Sequence, residues 1–69
     1  MAADTRIIYH DYIITITEEA GRFTPRVTRE SGLIEHDGQV SEAWAPASCY
    51  SADRAAQVAK TAIDNGRIR

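Results

Sequence analysis

Five side chains of this sequence could take part in chemistry, namely one cysteine, two histidines and the aspartates that follow them: Cys49, His10, Asp11, His36 and Asp37. A nucleophilic cysteine requires a nearby base and a setting that favours the thiolate, such as a helix N-terminus. Cys49 lies two residues before a predicted helix start, but no flanking residues form a nucleophile motif. A lone cysteine is often a buried apolar side chain. We therefore expect no catalytic residues, and we expect the protein not to be an enzyme.

The same side chains could in principle bind a metal ion. His10, His36 and Cys49 are far apart in the sequence and show no CxxC, HxxxH or HxH spacing. Each His-Asp pair is adjacent, so in a strand the two side chains would point to opposite faces. We expect solvated histidines, with no metal ligands and no cofactor.

Arginine and threonine alternate along one predicted strand, in the order Arg22, Thr24, Arg26 and Thr28. If Ile13 of the preceding strand shares this surface, one sheet face is both apolar and cationic. Such a face could receive another protein or a second copy, could contact nucleic acid through arginine, or could be solvated. The candidate interaction face is therefore Arg22, Thr24, Arg26 and Ile13.

Length and charge limit the choice of partner. A chain of 69 residues forms one domain with a small core, and its single cysteine permits no intramolecular disulfide. Small domains without disulfides often gain stability from a metal or a partner chain, so we expect a homodimer or another protein partner. The net charge of −2 disfavours nucleic acid, which remains the alternative. Arg67 and Arg69 are interpreted as a solvated tail.

The first six residues lack the basic and apolar segments of a secretory signal. No apolar run approaches the roughly 18 residues that span a bilayer. We therefore expect a cytoplasmic protein with no membrane association.

Composition and alternation predict strands at about 7–17, 22–30 and 39–45, after a disordered segment at 1–5. In the first strand Tyr12, Ile14 and Ile16 are the predicted core face. Pro25 suggests that the second strand is an edge strand or carries a bulge.

Turn residues punctuate the region between the strands and the helix. Gly21 marks a hairpin loop, and Asp37-Gly38 favours a two-residue turn that could pair residues 33–36 as a short fourth strand. In the third strand Val40 and Trp44 would share one face, but Glu42 lies between them and leaves the register open.

A helix is predicted at about 52–65. Ser51 is a suitable N-cap, and Asn65-Gly66 is a typical stop. One apolar stripe has helical spacing: Ala55, Val58, Ala59, Ala62 and Ile63. The sequence thus predicts one α+β domain over residues 1–69, with a three- or four-stranded antiparallel sheet and one C-terminal helix on one face.

Several segments together resemble small uncharacterised bacterial domains, the nearest being the haemolysin-activator-like (HlyU-like) proteins: Tyr12-Ile13-Ile14, Gly21-Arg22-Phe23, Ser51 with Ala55-Ala56 and Ala59, and Ile63-Asp64-Asn65-Gly66. The resemblance implies a regulatory or interaction role and supplies no site residues. Ala45-Pro46-Ala47 interrupts the longer apolar third strand expected of that family. The plant ethylene-response DNA-binding domains are similar in topology alone, since they also place three strands before one helix and use the open sheet face on DNA.

These observations favour a non-enzymatic interaction module that associates with itself through the open sheet face or an edge strand. The alternative is a module that binds nucleic acid or regulates transcription through Arg22 and Arg26.

Overall fold

The computed structural model describes residues 3–69. It contains five strands and one helix: β1 (Ala3–Tyr9), β2 (Tyr12–Glu19), β3 (Arg22–Arg29), β4 (Ile34–His36), β5 (Gln39–Ser41) and α1 (Ala52–Asp64). The first three strands form an antiparallel sheet in the order β1-β2-β3, and β4 pairs with β5 in a small second sheet. The predicted α+β class, with an antiparallel sheet and one C-terminal helix, is confirmed.

The segment predicted as one strand, residues 7–17, is a hairpin. β1 and β2 pair antiparallel from Tyr9 opposite Tyr12 outward, and the turn residues are His10 and Asp11. His10 has a φ of 54°, in the left-handed region that glycine usually occupies. Because a histidine takes this position, the turn has no glycine that would reveal it in the sequence. The prediction of disorder at residues 1–5 is wrong for residues 3–5, which belong to β1, and residues 1–2 lie outside the described chain.

The two predicted glycine turns are confirmed. Ala20-Gly21 joins β2 to β3, and Asp37-Gly38 joins β4 to β5. All four residues have positive φ, as two-residue hairpin turns of type I′ require. The possible fourth strand is therefore present at residues 34–36.

The predicted third strand, residues 39–45, is corrected by the structure. Only Gln39–Ser41 is strand, and it pairs with β4 outside the main sheet. Val40 is 62% exposed whereas Trp44 is buried, so the two side chains do not share a core face. Trp44 instead exchanges two backbone hydrogen bonds with Val27 of β3, at 2.8 and 2.9 Å.

Residues 44–49 run along the outer edge of β3 and contact it at two points. Val27 is bridged to Trp44, and Phe23 is bridged to Cys49. Three residues of β3 but four residues of the facing segment lie between these bridges, as in a bulge. Pro25 lies midway, where its missing N–H costs no hydrogen bond with β2, as expected of proline on an edge strand.

The core lies between α1 and the inner face of the main sheet. Ile14 and Ile16 are buried as predicted, and Tyr12 is half-buried against them. Four of the five stripe residues of α1 are buried: Ala55, Ala59, Ala62 and Ile63. The small alanines let the helix lie close to β2 and β3, the two strands that it contacts most.

Both ends of the helix follow the sequence signals. Ser51 has extended backbone, and its hydroxyl accepts a hydrogen bond from the Arg54 backbone N–H at 3.1 Å. Asn65 is the C-cap, and Gly66 follows with a φ of 75°.

The C-terminal segment is not the solvated tail that the sequence suggested. Ile68 is 2% exposed, and the backbones of Arg69 and Glu35 exchange hydrogen bonds of 2.7 and 2.8 Å. The Arg67 and Arg69 side chains are exposed, and the Arg67 guanidinium lies 5.7 Å from the Trp44 ring centroid.

One side-chain contact joins the end of β1 to the end of α1. The Tyr9 hydroxyl donates to the Asp64 carboxylate, with O···O distances of 2.8 and 2.9 Å. This hydrogen bond, some desolvation and the Asp64 charge together raise the pKa of Tyr9 above its ordinary value of 10.0.

No helix among the described residues has the length and apolar character to cross a lipid bilayer.

Replacing Ala59 by leucine should destabilise the fold by ~1–3 kcal/mol, because Ala59 is fully buried where the helix approaches the sheet. Urea unfolding followed by Trp44 fluorescence would measure the change. Gln57→Leu adds a similar side chain at an exposed position of the same helix and should change stability little. Equal effects of the two substitutions would contradict the close packing described for Ala59.

Replacing Asp64 by asparagine should lower the pKa of Tyr9, because the phenolate would no longer form beside a carboxylate. The stabilisation from this contact should be complete below the unfolded tyrosine pKa of about 10 and should disappear as pH rises through the higher folded pKa. Phenolate absorbance against pH would test this, with Tyr9→Phe identifying the Tyr9 component. Asp53→Asn, at the other end of the helix, should leave that component unchanged.

Candidate functional site

The main sheet has one face that the helix does not cover. The strand registers define this open face, because directly opposite residues of antiparallel strands share a face. Its members are Asp4, Arg6, Ile8, Ile13, Thr15, Thr17, Glu19, Arg22, Thr24, Arg26 and Thr28. The four residues of the predicted interaction face therefore do lie on one surface.

Directly opposite residues of β1, β2 and β3 form rows across the open face, and these rows determine its chemistry. The central row places Arg6 of β1 and Arg26 of β3 on either side of Thr15. Both arginines are exposed. The next row toward the β1–β2 turn contains Ile8 and Ile13, and Ile8 is 68% exposed. The face thus has a cationic centre beside a small apolar patch, an arrangement that suits binding.

Arg22 lies at the corner of the open face, next to the segment that covers β3. Its guanidinium is 3.3 Å from the Ser48 hydroxyl, 3.4 Å from the Tyr50 hydroxyl and 5.1 Å from the Tyr50 ring centroid. Tyr50 is 79% exposed. Arg22 is thereby held at the rim, whereas Arg26 extends from the middle of the face.

The two edges of the main sheet differ. The edge of β3 is partly occupied, since Phe23 and Val27 bond to Cys49 and Trp44. Among the described residues, no backbone hydrogen bond reaches the outer side of β1. β1 is therefore the free edge of the sheet.

The turn geometry shows which backbone groups of β1 are unpaired. Residues that flank a two-residue turn bond to each other, so Tyr9 and every second residue before it direct their N–H and C=O toward β2. Asp4, Arg6 and Ile8 therefore direct theirs away from the sheet. The same rule applied to β3 assigns outward groups to Phe23 and Val27, in agreement with their hydrogen bonds to residues 44–49.

Sequence reasoning missed Asp4, Arg6 and Ile8, because the hairpin at His10-Asp11 was not recognised. The β-branched and aromatic residues Thr5, Ile7, Ile8 and Tyr9, followed by the polar pair His10-Asp11, were the available signal for an additional strand and a turn.

The five chemical candidates do not form one site. Cys49 is half-buried beside β3, with its Sγ 3.9 Å from the Ala47 carbonyl oxygen. His10 is exposed in the β1–β2 turn with Asp11, and its ring meets the edge of Tyr9 with centroids 4.4 Å apart.

His36 and Asp37 do come together, at the β4–β5 turn. His36 Nε2 lies 2.9 Å from the Ser41 hydroxyl, and His36 Nδ1 lies 3.8 Å from an Asp37 carboxylate oxygen. Asp37 also faces the Arg67 guanidinium at 3.7 Å. In the described part of the chain, no three His, Cys, Asp or Glu side chains are grouped as metal ligands would be.

Comparisons with known proteins add no relative to this description. No family model matches the chain, and neither a curated protein nor a solved structure matches it significantly. The resemblance to haemolysin-activator-like proteins therefore stays a prediction, and the case for function depends on the open face and the free edge.

Proposed function

We propose that this chain is a non-enzymatic interaction module that associates with a second copy of itself along the free edge of β1. The observation that carries the proposal is the unpaired backbone of Asp4, Arg6 and Ile8 on a seven-residue strand. Such an edge is a ready template for another strand.

The position of the helix supports the choice of this edge. α1 contacts β2 and β3 most, and at β1 the Asp64 carboxylate accepts a hydrogen bond from Tyr9 at the end of the strand. The outward backbone groups of Asp4 and Arg6 lie nearer the other end of β1, away from this contact. Continuing the sheet would also supply the added stability that a domain of this size commonly draws from a partner.

Association through the open face is less favourable for two copies of this chain. Stacking would bring Arg6 and Arg26 of each copy into a layer from which water is partly removed. Cations in such a layer require paired anions, and the acidic residues of the face, Asp4 and Glu19, lie away from its centre. Edge pairing leaves the arginines in water.

A proline in place of Arg6, in the middle of β1, should abolish the dimer while preserving the fold, because the Arg6 N–H points away from β2. Light scattering over a concentration series would give the mass, and circular dichroism would verify folding. Val40→Pro is a matched control, since Val40 is also exposed on an edge strand with its N–H directed away from the neighbouring strand. It should leave the dimer intact.

Two results would overturn this proposal. A wild-type chain that stays monomeric at every concentration would remove self-association. A dimer that survives Arg6→Pro but is lost in an Arg22→Ala, Arg26→Ala double variant would move the contact to the predicted face of Arg22, Arg26, Ile13 and Thr24.

Nucleic-acid binding is the second candidate, favoured by one observation. Arg6 and Arg26 stand in one cross-strand row, with Arg22 at the corner of the same face. The chain's net charge of −2 opposes it.

Titration with duplex and single-stranded oligonucleotides at two salt concentrations separates this candidate from the first. Phosphate contacts should weaken steeply with salt and should weaken further in an Arg6→Ala, Arg26→Ala variant. The self-association proposal expects no binding at physiological salt, and tight, salt-sensitive binding would favour the alternative.

A further inference from the structure

We infer that two copies of the chain pair their β1 strands antiparallel in one register, with Thr5 opposite Thr5, so that Asp4 of each copy faces Arg6 of the other. The inference rests on the proposed self-association and adds the register and the residues that select it.

The backbone limits the possible registers. Antiparallel pairing of identical strands in one sheet is related by a two-fold axis perpendicular to the sheet, so residues on one face must meet residues on that face. Asp4, Arg6 and Ile8 carry both the outward backbone groups and the open-face side chains. Within the paired part of β1, each must therefore lie opposite another of these three or opposite itself, while a residue near a strand end can extend past the partner strand.

Charge selects among these registers. Each register is named by the residue at the two-fold axis, which lies opposite its own copy. Centring the pair on Asp4 or on Arg6 therefore places two like charges opposite each other, which is unfavourable. Centring it on Ile8 pairs only residues 7–9 of the two β1 strands. Centring it on Ile7 places Arg6 opposite Ile8 and leaves Asp4 opposite His10, in the turn beyond the strand. Centring it on Thr5 places Asp4 opposite Arg6 twice, once on each side of the axis.

Asp4 and Arg6 have no ion-pair partner in the described part of their own chain. Asp4 and Arg6 are exposed, and their β2 neighbours are Thr17 and Thr15. The ion pairs among the described residues involve neither of them. Charged residues on an edge strand ordinarily discourage pairing, but opposite charges two residues apart are self-complementary when the second strand runs the other way.

The surroundings permit this arrangement. The two-fold axis keeps both helices on the same side of the joined sheet. Each helix contacts β2 and β3 most and meets β1 at Tyr9, the end of the strand away from Thr5. Thr5 is exposed and Ile7 is half-buried on that side, so neither is already fully covered.

Charge exchange tests the inference. Asp4→Arg and Arg6→Asp should each weaken dimerisation about tenfold or more, because each turns two attractive pairs into repulsive ones. The double variant keeps the wild-type net charge and should restore dimerisation. Glu42→Arg, an equal charge change away from β1, should have little effect.

Disulfide trapping would show directly which β1 residues lie opposite their own copies in the dimer. In a Cys49→Ala background, Thr5→Cys should form a covalent dimer under oxidised glutathione, because opposite residues in a non-hydrogen-bonded pair have Cα atoms about 4.5 Å apart. Arg6→Cys and Ile7→Cys report the registers centred on those residues and should cross-link more slowly. Adding Arg6→Pro, which removes the outward N–H at the centre of the paired segment, should abolish trapping at Thr5.

The outcomes separate the two proposals. A monomeric wild-type chain would overturn self-association itself. A wild-type dimer that cross-links fastest at position 6 or 7, or that the double charge variant fails to restore, would overturn the Thr5 register while leaving self-association in place.

Discussion

The close approach of α1 to β2 and β3 is the contact on which the rest of the molecule depends. Ala55 and Ala59 are fully buried in one core cluster with Ile14 and Val27, and their small side chains let the helix approach the sheet closely. A thirteen-residue helix covers only part of a three-stranded sheet, so β1 is left at the side. This packing contact determines which face of the main sheet is buried, and the pairing of residues 44–49 with β3 leaves β1 as the free edge.

Local signals in the sequence predict much of this arrangement. The helix, its caps and its buried stripe follow from Ser51, Gly66 and the spacing of the alanines, because each signal acts within one or two turns of the chain. The Ala20-Gly21 and Asp37-Gly38 turns were equally readable, since glycine at positive φ is a strong local constraint. Alternation placed Arg22, Thr24 and Arg26 on one face, whereas the presence of Ile13 on that face depended on the register between β2 and β3.

What could not be read depended on contacts between distant segments. The His10-Asp11 turn carries no glycine, so a hairpin resembled one long strand, and β1 with its edge charges was missed. Trp44 is placed by two bonds to Val27 that no periodicity encodes, and Ile68 is buried through pairing of the last residues with β4. Local propensity gives no information on such pairings, because they are selected by burial in the finished fold.

The segment that covers β3 has a consequence for the size of any assembly. Residues 44–49 bond to β3 on both sides of Pro25, and Pro25 itself can offer no N–H to an incoming strand. The main sheet therefore has one available side rather than two. Growth through a single side ends when two copies meet, since the joined sheet then has an occupied β3 edge at each extremity. Residues 44–49 thus prevent the addition of further strands at β3, which favours a closed pair of chains over an open-ended fibre.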